Sequence, residues 1–281
     1  MHIFSNPDWL KHFEYPYTTF NEIPEVVFSK INTDLDKISN EKPEVSILIS
    51  AWNEEVNILR CVASLSKMKT KRSCEIIVIN NNSKDNTQAT IDKLHVRSLF
   101  ESEQGCGPAR QLGQENALGT YILLADADCF YPEHWVEEMI KILETVNVVC
   151  VYGRYSFISG PGFPRWKLKI LEAMKDVIAE FRHLNQPYLN TYGISMGYVK
   201  EYGLKVGFIR TKFWGDDGQL ALGLLDYGII KQVRASRARV WTGTRSLERD
   251  GSLLDALKVR FAKESKRFFA NFRSHSPERM K

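Results

Sequence analysis

Residues 119–130 read GTYILLADADCF, an apolar run that ends in Asp126 and Asp128, two carboxylates one residue apart. Ionised side by side, they repel each other. On an extended backbone, residues two apart point the same way, so both carboxylates are expected to face one ligand. A divalent cation removes the repulsion, and hard oxygen donors suit Mg2+ or Mn2+. Such an ion bridges a diphosphate and takes up charge on a departing phosphate. The competing reading is a helix cap with a solvated aspartate. Because the next helix is expected to start near Pro132, two aspartates are one too many for that task. The D-x-D spacing is common by itself, so its surroundings decide.

Those surroundings alternate strand and helix. VSILIS (45–50), CEIIVI (74–79), 96–100, 121–125 and 146–152 read as strands, and 229–233 as a later one. Helices are predicted over 54–65, where Ile58, Leu59, Val62 and Leu65 share a side, and over 87–94, from 105, 132–143, 165–181 and 219–227. Short links and near-continuous apolar strands predict a mostly parallel sheet with helices on both faces. In such sheets ligands sit beyond the carboxyl ends of the strands, where Asp126 and Asp128 fall. The first 44 residues, broken by Pro7, Pro16, Pro24 and Pro43, are expected to form an irregular arm with one or two short helices.

Composition narrows the class. With 281 residues and 43% hydrophobic content, the chain supports one substantial core and is not a disordered polymer. It has no apolar run long enough for an ordinary membrane span, and the opening MHIFSNPDWLKHFEYP is not expected to be a signal peptide. Cys61, Cys74, Cys106, Cys129 and Cys150 have no CxxC spacing. They read as free thiols, mostly buried, in a reducing compartment. Residues 1–44 hold eight acidic and four basic side chains, whereas 254–281 hold eight basic and three acidic. The basic end suits an anionic surface.

Four stretches carry a further pattern in fixed order: VSILISAWNEEVNILRCVASL (45–65), CEIIVINNNSKDNTQAT (74–90), GCGPARQLGQENALGTYILLADADCF (105–130) and FWGDDGQLALGLLDYG (213–228). Over about residues 45–235 the chain resembles the inverting nucleotide-sugar glycosyltransferases of the GT-A type, a glycosyltransferase family 2-like pattern. The resemblance implies an α/β GT-A fold, with a Rossmann-like, mostly parallel central sheet and a smaller acceptor-side region. It sets Ala51, Asn53 and Glu54 beside the nucleotide base, with Ala51 where the family usually has proline. Asn80 takes the place of a usual aspartate; it can hydrogen-bond a uracil-like base but brings no charge.

Gly107, Ala109, Arg110, Gly113 and Gly119 match the small-residue helix that approaches the donor. Arg110 alone reads as a surface helix residue; the ordered match turns it to the donor side. By the same resemblance Asp126 contacts ribose or the base side and Asp128 holds the metal. Asp216 and Asp217 match the acidic pair, with Asp for the usual Glu, and Asp217 is the residue expected to deprotonate the acceptor hydroxyl. Helix capping is the plainer reading of Asp217 and of Asn53. Trp214 is expected either to stack on an acceptor sugar or to pack in the core. In RARVWTGTRSLERDG (237–251), Arg245 is the nearest match to a late family arginine, and Arg245 or Arg239 is expected to neutralise the diphosphate.

The expected organisation is a 1–44 arm, a 45–240 GT-A domain and a basic, helical 241–281 extension. The expected activity is metal-dependent inverting transfer, with Mn2+ or Mg2+, from a nucleoside diphosphate sugar donor to a saccharide or lipid-linked acceptor hydroxyl, as in polysaccharide assembly. The expected location is cytoplasmic, with the extension as a candidate contact to an anionic membrane surface or as a helix docked on the core. A catalytically inactive sugar-nucleotide binder is the second reading. Nucleic-acid binding is the third, and no zinc finger, RNP-like strand or aromatic-basic repeat supports it.

Overall fold

The computed structural model describes residues 4–209 and 215–248. Two 3-10 turns, Asp8–His12 and Phe20–Glu22, precede α1 (Glu25–Ile38). Then come β1 (Val45–Ala51), α2 (Asn57–Leu65), β2 (Cys74–Asn80), α3 (Thr87–Asp92), β3 (Arg97–Phe100), α4 (Cys106–Asn116) and β4 (Tyr121–Asp126). The second half holds β5 (Cys129–Phe130), α5 (Trp135–Leu143), β6 (Val148–Tyr152), β7 (Tyr155–Phe157), α6 (Arg165–Asn185), β8 (Met196–Val199) and α7 (Lys200–Val206). It closes with α8 (Asp216–Leu224), β9 (Ile229–Gln232), β10 (Val240–Thr242) and α9 (Arg245–Glu248).

Among the described residues seven strands form the main sheet in the order β3-β2-β1-β4-β8-β6-β9. All pairings are parallel except those of β8, which runs antiparallel to β4 and β6. Successive strand side chains point to opposite faces. In β1, Ile47 and Ile49 join the layer built by α1, α2 and α5, while Leu48 joins the layer of α4 and α8. Burial on both faces explains why these strands are apolar at nearly every position, and the mostly parallel α/β sheet expected from the alternation is present.

Three features depart from expectation. The first 44 residues include the fourteen-residue α1, whose Phe28, Ile31 and Leu35 belong to the main core. β8 was not legible: it contains Gly197, a poor strand residue, where a Cβ would lie 2.5 Å from Leu123. The boundary expected at 240 falls inside β10, which pairs with β5 and β7 in a small second sheet. A buried pair between Arg165 and Glu172 ties α6 to that sheet, with Glu172 accepting the Phe157 amide and Arg165 lying over the Trp241 ring.

Candidate active site

Two turns at the carboxyl ends of β1 and β2 interlock. Asn53 does not cap a helix: it has φ 54°, and α2 begins at Asn57. Its side chain accepts the Lys84 amide at 2.8 Å, and its own amide donates to the Ser83 hydroxyl at 3.0 Å. Asn82 also takes positive φ, a conformation asparagine tolerates. Ala51 is buried and its carbonyl accepts the Asn81 amide at 2.8 Å. Asn80 is buried, donating to Gln88 at 2.8 Å and accepting the Ser83 amide at 3.0 Å. Asp85 accepts the amide of Thr87, the first residue of α3, at 3.0 Å.

Asp126 and Asp128 pair with different arginines. β4 ends at Asp126 and the chain turns through 127 and 128, so the extended geometry expected to aim both carboxylates one way is absent. Asp126 faces Arg110 at 3.3 Å. Asp128 faces Arg245 at 2.8 Å.

Arg110 is buried rather than exposed, and it gathers three aspartates. Its Nη1 donates to Asp216 at 2.8 Å and to Asp217 at 2.9 Å, and its Nη2 donates to Asp126. α4 delivers Arg110 from one side of the sheet, and α8 presents both acidic residues in its first turn, where a helix N-terminus favours negative charge. They were expected in a loop before that helix; α8 starts three residues earlier than its apolar pattern suggests. The Gly193 amide donates to the second oxygen of Asp217.

Three carboxylates around one guanidinium cannot all ionise easily. Partial burial pushes Asp126 up, and burial pushes Asp216 up to about 6, against the pull of Arg110. Burial also opposes ionisation of Asp217, but Arg110, the hydrogen bond with Asp216 and the Gly193 amide outweigh it and hold Asp217 below the usual carboxylate range.

The second cluster links distant parts of the chain. Thr242 of β10 pairs with Cys129, so the chain leaving β10 passes Asp128 and places Arg245 there. Arg245 also donates to Glu54, whose pKa is raised by burial in spite of that bond. Among the described residues no three His, Cys, Asp or Glu side chains gather to hold a metal. The donor set of Asp128, 32% exposed, with Glu54 beside it still suits Mg2+ or Mn2+. Such ions are commonly held by one or two carboxylates, with phosphate oxygens and waters completing the shell.

A family model described as glycosyl transferase family 2 matches residues 46–202, more than half of the chain. The chain belongs to glycosyl transferase family 2. Among curated relatives, the glycosyltransferase AglE of Haloferax volcanii is 32% identical over 124 residues, covering 41% of this chain and 40% of AglE. The putative glycosyltransferase EpsH of Bacillus subtilis is 30% identical over 119 residues, covering 40% of this chain and 34% of EpsH. The chain thus spans less than half the length of these relatives. Among solved structures, TarS of S. aureus, residues 1–349, superposes with TM-score 0.56 at 16% identity, covering 72% of this chain and 60% of that one. The shared architecture is the GT-A fold of family 2.

Within this family 2 chain, the structure brings Arg110, Asp126, Asp216 and Asp217 together, and separately Glu54, Asp128 and Arg245. It does not bring Arg239 to either group: Arg239 bonds Asp176, the Tyr155 carbonyl and Ser156. Gly113 and Gly119, expected to let the helix approach a donor, serve packing on the sheet instead, Gly113 from α4 and Gly119 from the link before β4. A Cβ at Gly113 would meet Ile79 at 3.0 Å, and one at Gly119 would meet Ser46 at 2.7 Å. Residue typing missed the backbone of Gly193, because a lone glycine in an aperiodic stretch carries no signal for an amide that holds a carboxylate. Trp214 and residues 249–281 lie outside the described residues. Among the described residues all five cysteines are free, four of them buried and Cys106 exposed. No described helix is long and apolar enough to cross a membrane.

Proposed function

We propose that this protein transfers a sugar from a nucleoside diphosphate donor to an acceptor hydroxyl with inversion at the anomeric carbon. The observation that carries this reading is the Arg110 cluster. One buried guanidinium joins Asp126, at the end of the central strand, to Asp216 and Asp217 on the acceptor-side helix, so the donor-side and acceptor-side carboxylates form one rigid unit.

Asp217 accepts the proton of the acceptor hydroxyl, and the freed oxygen pair attacks the anomeric carbon from the face opposite the diphosphate. The new carbon–oxygen bond forms as the bond to phosphate breaks, and the electron pair leaves on the diphosphate. Arg110 and the Gly193 amide keep Asp217 ionised and oriented. With Asp216 also ionised, repulsion inside the pair strengthens Asp217 as a base.

Asp128, with Glu54 beside it, would hold Mn2+ or Mg2+, which when bound supplies positive charge for the departing diphosphate. Arg245 supplies charge at the same end. Its pairs are half exposed (49% for the Arg245 side chain) and worth about 0–1 kcal/mol, so it turns from the carboxylates to a diphosphate at little cost. Asn53, Asn80 and the Ala51 backbone form the wall for the base, with Asn80 held in place by Gln88 and Ser83. A saccharide or lipid-linked acceptor, cytoplasmic location and peripheral membrane attachment belong to the same proposal and rest on the family pattern.

The test is calorimetric titration with UDP, GDP, CDP and dTDP, with and without Mn2+, on wild type, D128A and D217N. One nucleotide is expected to bind in a manner that needs both metal and Asp128. D217N should bind it normally and lose about 100-fold or more in transfer rate. Full transfer activity in both variants would overturn the assignment.

A further inference from the structure

Helix α6 shows an unusual outer face. Its inner side buries Leu168 and Leu171. Its outer side carries Trp166, Ile170, Met174, Val177, Phe181 and Leu184, each between 42% and 77% exposed. Their spacing makes one stripe about 27 Å long at the α-helical rise per residue. A contiguous apolar stripe of that size marks a covered surface.

We propose that residues 249–281 of the same chain cover it. The described chain stops beside this helix: Leu247 of α9 is fully buried in the cluster that contains Leu168 and Leu171. The following sequence supplies a matching face. Leu254, Leu257, Phe261, Phe268 and Phe272 fall at helical spacing, again about 27 Å from first to last. Arg260, Lys263, Lys266 and Arg267 fall on the opposite side. Residues 249–253 extend up to about 17 Å, enough to pass around a helix about 10 Å across. The stripe begins at an apolar hollow lined by Phe4, Trp166, Lys169, Ile170 and Ala173, which receives the first leucines if the segment runs parallel to α6. Because residue 249 follows α9 directly, the same docking steadies Arg245 at Asp128.

The test uses the full chain, mixed in equal parts as isotopically heavy and light protein and treated with an amine cross-linker. Cross-links from Lys167 or Lys169 to Lys258 or Lys263 are expected within one chain. In the full chain, Phe261→Asp with Phe268→Asp should abolish these cross-links and raise binding of an apolar fluorescent dye by about threefold or more, as uncovered apolar surface does. Adding Phe181→Asp should reverse that rise and assign the dye to α6. Mixed heavy–light cross-links would show a second copy as the occupant and overturn the proposal. So would flotation of the wild-type chain with phosphatidylglycerol vesicles that depends on Trp166 and Phe181, or dye binding unchanged by the paired substitutions.

Discussion

Gly193 stands against Arg110 so closely that a Cβ on Gly193 would lie 1.7 Å from Nη2 and 2.5 Å from Cζ of the guanidinium. The same glycine donates its amide to Asp217. The absence of one side chain therefore lets Arg110 lie between the three aspartates, and the backbone beside it fixes the base.

Gly193→Ala is expected to push Arg110 off its partners. Gly193 is not among the positive-φ residues, so the cost is steric, about 1–3 kcal/mol for overpacking, with transfer activity reduced more than tenfold. Arg110→Met should be worse, at about 3–5 kcal/mol, because it strands buried carboxylates without their cation. Gly160→Ala is the control: its Cβ would meet only Thr244 at 3.8 Å, and a change within about 0.5 kcal/mol is expected. Urea denaturation of the three variants checks the order.

Asp216 makes stability depend on pH with a defined sign. Its folded pKa of about 6 lies above the ordinary aspartate value of 3.8. Its proton-linked stabilisation is therefore complete below about 3.8 and is lost as pH rises through 6. Asp216→Asn lacks this titration. Relative to wild type, the melting temperature of the Asn variant should climb between pH 4 and 7 and then level off. A difference that is flat across that range would remove Asp216 as the source.

Arg245→Ala leaves Glu54 and Asp128 without their shared guanidinium. If Arg245 turns to the diphosphate, nucleotide affinity measured with Mn2+ present should fall about tenfold to a hundredfold, the scale of charge-assisted hydrogen bonds. Glu54 should then titrate higher still, since Arg245 opposes the effect of its burial. Arg245→Lys is expected to fall between the two, because an ammonium lacks the planar fork that spans two carboxylates. Calorimetric affinities equal to wild type for both variants would exclude Arg245 from the donor site.

What the sequence determined by itself was everything that repeats locally. The apolar runs of β1, β2 and β4 announced a sheet buried on both faces, and the order of four motifs announced the family. Asp126, Asp128, Asp216 and Asp217 were legible as residues that could do chemistry. Their pairing with Arg110 and Arg245, both also singled out, was not, because the partners lie far along the chain: Arg110 meets Asp216 across 106 positions and Arg245 meets Asp128 across 117. β8 was hidden by Gly197, a poor strand residue, and the start of α8 by acidic residues that break its apolar pattern.

Only the tertiary structure decided that the two aspartates of the D-x-D pair with different arginines. The chain turns after β4, and each carboxylate finds a different arginine. Spacing sets which side chains share a direction only while the backbone stays regular. At a strand end, the packing of α4, α8 and β10 sets the direction instead.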